Sequence, residues 1–262
     1  MPNLIKTKVM MLAMVGAMLT SACSTLLKTP ESQAEVDPKL AIEAYARVLK
    51  GFVNKEGEVD FEGLQKNPQD LSTYIHYVAK KRLHDIGNPN QVLAHHLNAY
   101  NALSMFTVLE KDIPKTNSGL NKLFFFRLTK MEIGGQVMSL ETYEKDFIRS
   151  LGEDRVHWAL NCMSVSCPRL PQEIFKTETV QSQLQDLSIE FFNSEKNVQV
   201  KNDKKEVAVT EIIKFFPEDF VPVKASSVVS YVNLYRKNPV PQDYKVRYIS
   251  YDWTINNSRR SR

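Results

Sequence analysis

Cysteine is scarce in this chain: three residues in 262, at positions 23, 162 and 167. No Cys-x2-Cys or His-x3-His spacing occurs among its cysteines and five histidines, so no ligand pattern for zinc is present and no metal site is expected. Glycine is sparse too, at nine residues, and none of them builds a phosphate-cradling loop. No cofactor is expected. Charge of one sign is missing as well. The net charge is +4, and removing Lys6 and Lys8 leaves +2, too little to argue for nucleic acid or an acidic surface as partner. The apolar run at residues 9–19 is too short to span a bilayer. Beyond residue 37 there is no composition break, repeat or low-complexity run, which predicts one globular domain over residues 38–262.

What is present begins with a targeting pattern. Lys6 and Lys8 supply a positive region, residues 9–19 an apolar one, and Thr20-Ser21-Ala22 a small-residue junction before Cys23. Residues 1–22 are therefore read as a signal peptide. Ala22-Cys23 resembles the lipobox of bacterial lipoproteins, which implies lipidation of Cys23 and a polar tether over residues 23–37. The expected location is the periplasmic side of the outer membrane as a lipid-anchored protein, or the periplasm if cleavage occurs without lipidation. In that oxidising compartment a Cys162–Cys167 disulfide is the default expectation.

Periodicity then gives an α+β reading. Asp37-Pro38 opens a helix with Leu40, Ile42, Ala44, Tyr45, Val48 and Leu49 on its apolar face. A short strand is expected at residues 59–61 and a helix at 69–82. A longer helix at 91–109 is apolar nearly all round, which places it at the centre of the fold. Residues 130–140 read as a hairpin turning at Gly134-Gly135, followed by a helix to Ser150. Residues 156–161 read as a buried strand, 179–193 as an amphipathic helix, and 197–209 as a second hairpin. Short helices at 210–217 and 226–237 and a last strand at 246–254 complete the chain, with a mostly antiparallel sheet around the central helix.

Two places carry polar or reactive groups. On the central helix His95, Asn98 and Asn101 recur every three residues and share one stripe. Such a stripe either satisfies neighbouring backbone or walls a cleft. The second place is residues 156–168, where an apolar run feeds Asn161-Cys162-Met163-Ser164-Val165-Ser166-Cys167, closed by Pro168. A rigid element leading into a Ser/Cys loop presents reactive side chains, or else is a packed segment stapled by a disulfide. On a strand, His157 and Cys162 point to opposite faces, leaving Cys167 as the thiol able to approach His157. Asp252 or Glu144 is then the group that orients the histidine. Ser166 lies beside Cys167 as a further ligand-facing candidate.

The motifs taken together resemble a known family. Leu97-Asn98-Ala99-Tyr100-Asn101-Ala102-Leu103, Ser139-Leu140 with Tyr143-Glu144 and Arg149, and His157-Trp158-Ala159-Leu160 through Ser166-Cys167-Pro168 are similar to the signatures of domain-of-unknown-function family 547. Tyr251-Asp252-Trp253 with Asn256 resembles its ending. The order is preserved from about residue 40 to 256. A central helix followed by strands bearing His and Asp is also similar to a papain-like or transglutaminase-like core. In that core the nucleophilic Cys sits near the start of the central helix, and here the helix holds none.

Two function classes follow. The first is a thiol-dependent hydrolase or transferase acting on a peptide or a small thiol, with Cys167, His157, Asp252 and Glu144 as catalytic candidates. The second is a non-catalytic lipoprotein binding a peptide-like or thiol ligand through Asn98, Asn101, Cys162 and Ser166, its cysteines joined. Either way the partners are a small molecule or peptide and the membrane that holds the lipid anchor.

Overall fold

Asp37 accepts hydrogen bonds from the backbone of Lys39 and Leu40, and Pro38 fills the first position, so helix α1 (Pro38–Phe52) begins where its capping chemistry directs. The structure is a computed structural model and describes residues 24–29 and 36–259. The expected signal peptide and Cys23 lie outside the described residues. Of the predicted apolar face of α1, Ala44, Tyr45, Val48 and Leu49 are buried, with Ala41 completing the stripe. Leu40 and Ile42 stand off it and are exposed.

A short strand β1 (Thr25–Leu26) lies in the expected tether and pairs in parallel with β2. Val59 forms isolated bridges to Val53 and Asn257 rather than a strand, and Asp60 caps α2 (Phe61–Lys66). α3 (Gln69–Lys80) follows and packs on α1. α4 (Pro89–Glu110) is the central helix, buried on nearly every side from Leu93 to Val108, and it touches α3, α6 and α7. That agrees with its lack of a polar face. Then come α5 (Leu120–Leu123), running into a π-turn at Phe124–Leu128, and the hairpin β2 (Thr129–Ile133) and β3 (Gln136–Ser139). The turn of that hairpin needs positive φ at two positions, and Gly134 and Gly135 supply it.

Ser139 caps α6 (Leu140–Tyr143), which continues as a π-turn over Glu144–Ile148. α7 (Val180–Asn193) is the predicted amphipathic helix. β4 (Val198–Lys201), β5 (Glu206–Thr210) and β6 (Lys245–Ile249) form a second sheet, with α8 (Ile212–Phe215), α9 (Pro217–Phe220) and α10 (Val228–Asn233) between β5 and β6. Pro217 opens α9 instead of merely ending the helix before it. Each three-stranded sheet is mixed: β1–β2 and β5–β6 are parallel, β2–β3 and β4–β5 antiparallel. The α+β class stands, with two small sheets in place of one mostly antiparallel one.

The predicted strand at 156–161 is a correction. Residues Asp154–Trp158 form a 3-10 helix, and the chain then runs irregularly into the cysteine loop. A short apolar run fits a strand or a buried helical turn equally well, and here packing decides. Val156, Ala159 and Leu160 enter the larger hydrophobic cluster around α4, while Trp158 enters a smaller one with Phe191, Phe192, Phe220 and Tyr231. A strand could send alternate residues to two sides only, and here three of four enter the same core. Trp158 Nε1 donates to Tyr231 Oη at 3.0 Å, and Tyr231 donates to the buried Asp154 at 2.6 Å. No helix among the described residues is long and apolar enough to cross a membrane.

Candidate functional site

Asn161 shapes the cysteine loop. Its side chain donates to Pro168 O at 2.7 Å and accepts from Met163 N at 2.7 Å, while its own N–H donates to Asn101 Oδ1 at 2.8 Å. Met163 takes φ of 60°, an uncommon value for a side chain of its size, and its backbone accepts from Asn256 N. Val165 N and Ser166 N donate to the carbonyls of Thr254 and Asp252. The loop is thus fixed by α4 on one side and by the C-terminal segment on the other.

This folding back brings the two sulfurs together. Cys162 Sγ and Cys167 Sγ lie 2.9 Å apart as free thiols, and Cys162 N donates to Cys167 Sγ at 3.1 Å. A disulfide bond would measure about 2.0 Å, so the pair is a dithiol in contact. Tyr251 Oη lies 3.0 Å from Cys167 Sγ and 3.4 Å from Cys162 Sγ, and Ser164 Oγ 3.5 Å from Cys162 Sγ. The hydrogen bond from Cys167 lowers the Cys162 thiol to about 7, aided by Ser164 and Tyr251 against the opposing effect of burial. Burial, and its role as donor to Cys162, push Cys167 up.

Both sulfurs open onto a cavity of about 790 Å³. The π-turn after α6 contributes Glu144 to its wall, and Arg149 follows directly after that turn. In an α-helix residues five apart lie roughly 140° from each other around the axis. Here Arg149 N bonds to Glu144 O across the π-turn, which returns Arg149 to the side of Glu144. Tyr100 of α4 donates to Glu144 Oε2 at 2.9 Å. Burial raises the Glu144 carboxyl, outweighing the lowering effects of His157, Tyr100 and Arg149.

His157 completes the wall. It is 4% exposed, its Nε2 lies 2.7 Å from Asp219 Oδ2, and its ring stacks on Phe216. Arg149 grips the same Asp219 through Nε at 2.6 Å and Nη2 at 3.0 Å, reaches Glu218 at 2.6 Å, and lies over Phe216. Burial works against the Asp219 carboxylate, yet the bonds from His157 and Arg149 hold it well below the usual range. Leu123, Phe126, Leu160, Ile212, Phe215 and Trp253 supply its apolar lining. Among the described residues no group of three or more His, Cys, Asp or Glu side chains is placed to hold a metal ion.

The structure gathers some predicted residues and separates others. Glu144, His157, Cys162 and Cys167 share the cavity. His157 is oriented by Asp219 instead of Asp252 or Glu144. Asp252 is exposed, and its carboxylate accepts from Thr254 N. Ser166 Oγ accepts from Asp252 N, outside the cavity lining. Asn98 brackets Phe175, donating to its O at 2.8 Å and accepting from its N at 2.9 Å. Asn101 donates to Ala159 O at 3.0 Å and accepts from Asn161 N. Both asparagines tie segments to α4 and neither lines the cavity.

The opposite-face argument that favoured Cys167 falls with the strand it assumed, and Cys162 is the thiol with the lowered pKa. Sequence reasoning did not name Asp219, Tyr251 or Tyr100 as site residues. The two tyrosines lie inside motifs already singled out, at 97–103 and 251–253, whereas nothing in the local sequence marks Asp219.

A family model described as "Protein of unknown function, DUF547" matches residues 86–192. Three of the four motifs noted above, at 97–103, 139–149 and 157–168, fall within that span. No curated protein and no solved structure matches the chain.

Proposed function

We propose, for a chain whose residues 86–192 match the DUF547 family model, a thiol transferase in which Cys162 is the nucleophile and Cys167 the resolving thiol. The observation that carries this reading is the 2.9 Å contact between two free thiols opening onto a cavity large enough for a small molecule or a peptide segment. Thiol–disulfide exchange needs a thiolate, a second thiol and access, and little else. The Cys162 thiolate attacks one sulfur of a disulfide, forming a mixed disulfide and releasing one thiolate. Cys167 then loses its proton and attacks Cys162 Sγ, releasing the second thiol and leaving Cys162 and Cys167 joined. Two electrons pass from the protein to the substrate, and a dithiol reductant resets the pair. The intramolecular disulfide is on this view an intermediate and not a permanent staple.

Acyl transfer at Cys162 from a peptide is the second reading, favoured by one observation: the Glu144 carboxyl lines the same cavity as Cys162, placed where a general acid for a leaving group would stand. Against it, His157 Nε2 is engaged by Asp219, and the N–H of Cys162 is bonded to Cys167. Single-turnover assays with a small disulfide and with a peptide ester separate the two. Exchange expects Cys162→Ser to abolish reaction and Cys167→Ser to stop at the mixed disulfide, visible by mass. Acyl transfer expects an acyl adduct on Cys162 in both the wild type and Cys167→Ser. If both cysteine variants match the wild type, neither reading survives, and the cavity is better read as a binding site alone.

The proposed setting is the cell envelope, with the mature chain anchored through lipidated Cys23 on the periplasmic side. The small-residue junction before Cys23 supports this. In cell fractions Cys23→Ala should move the protein from membrane to soluble material, and unchanged membrane association would rule the anchor out.

A further inference from the structure

The rim of the cavity carries charge that its interior does not use. Four cations reach it: Lys122, Arg127, Lys145 and Arg149. Arg127 is paired with Glu141 and Arg149 with Glu218 and Asp219. Lys122 and Lys145 have no carboxylate within ion-pair distance among the described residues, and both are exposed. Lys122 Nζ instead stands 4.1 Å above the Trp253 ring and 5.1 Å from that of Phe215. Trp253 lies against Tyr251, ring centres 4.3 Å apart, and Tyr251 Oη reaches both sulfurs. One continuous wall therefore runs from a free ammonium, across two aromatic rings, to the thiol pair. Of the carboxylates that line the cavity, Glu141 is paired with Arg127 and Glu144 accepts from Tyr100.

We propose that the substrate is an anionic low-molecular-weight disulfide, its carboxylates held at Lys122 and Lys145 and one of its sulfurs delivered along Trp253 and Tyr251 to Cys162. This rests on the thiol-transfer reading above for its chemistry, and on the rim alone for its charge. A neutral or cationic disulfide of equal size meets the same aromatic wall without the ammonium groups. Lys122 held over an aromatic face keeps its charge at a fixed height, which favours an anion a short distance from a disulfide over one at arbitrary reach.

Three disulfides of different charge test it: anionic glutathione disulfide, neutral hydroxyethyl disulfide and cationic cystamine, each reacted with the reduced full chain. The expected order of kcat/KM is anionic, then neutral, then cationic. In Lys122→Met or Lys145→Met the anionic-to-neutral ratio should fall by about tenfold each, the scale of one partly screened charge contact. Rising salt should shrink the same ratio. Equal rates for all three disulfides, or cystamine fastest, would overturn the charge assignment while leaving thiol transfer standing. If none of the three reacts, the transfer reading has failed instead. Calorimetry with unreactive S-methylglutathione then decides the inference by itself: binding that weakens in both lysine variants sustains it, and no binding removes it.

Discussion

At the residue scale, the two asparagines of α4 show what a single side chain can hold. Each satisfies one buried N–H and one buried C=O of a segment with no regular secondary structure. Asn98→Ala and Asn101→Ala should each lower stability by roughly 1–3 kcal/mol, the cost of leaving such groups unpaired. Urea denaturation measures this, and a loss near zero for either would return that residue to the list of ligand contacts. Their spacing was legible in the sequence, but their partners, Phe175 and residues 159–161, were not. The same holds for His157, whose partner Asp219 is 62 positions away in a stretch with no motif. Cys162 gives a second prediction. The thiolate is the reacting form, so iodoacetamide modification of Cys162 should climb through pH 7, where an ordinary thiol climbs near 8.5. Tyr251→Phe and Cys167→Ala each remove a donor to that thiolate and should move the midpoint upward. A midpoint that stays at 8 or above in the wild type would remove Cys162 as nucleophile.

At the scale of elements, the helices were read well because their signals are local. Asp37-Pro38 opens α1, the hydrophobic spacing of α7 matches one buried face, and the all-round apolar character of α4 made it central. Two of the elements that escaped shape the site. The π-turn after α6 obeys no hydrophobic period, so the spacing of Glu144 and Arg149 did not show that their backbone bond brings them to one side. The 3-10 helix at Asp154–Trp158 looked like a strand because a short apolar run does not reveal which of its residues enters which cluster. Its geometry depends on Tyr231, which accepts from Trp158 and donates to Asp154. Tyr231→Phe leaves a buried indole N–H unpaired and strips Asp154 of its shortest bond, so a loss of about 1–3 kcal/mol is expected. Thermal unfolding of that variant reads it. Because His157 lies within this turn, the variant should also blunt reaction at the cavity more than its stability loss explains.

Across the whole molecule, residues 251–259 tie together parts remote in sequence. Asn256 N donates to Met163 O and its carbonyl accepts from Val59 N, while Ser258 N donates to Val59 O. Arg259 reaches Asp60 at 2.6 Å. The cysteine loop is therefore braced by the tail, which is itself bound to the start of α2. The sequence had marked Tyr251 to Asn256 as a motif and predicted a strand over 246–254, but β6 ends at Ile249 and the motif is chain joined by isolated bridges at Thr254 and Ile255. Its purpose is visible only when the loop it clamps is in place. Removing residues 256–262 deletes the three backbone hydrogen bonds named here, each worth roughly 0.5–1.5 kcal/mol net, and keeps Tyr251 and Trp253. The described residues of the deleted segment bond to Gly57, Val59, Asp60 and Glu62 around the start of α2 and to Met163, so the truncated chain should fold with a lowered melting temperature. Its loop, freed at Met163, should let the sulfurs drift from their 2.9 Å contact. Cys162 would then lose its closest donor, and its alkylation midpoint should rise toward that of an ordinary thiol even in protein that is fully folded by circular dichroism. A truncated chain with native helicity and an unshifted midpoint would mean that α4, through Asn101 and Asn161, holds the dithiol without the tail.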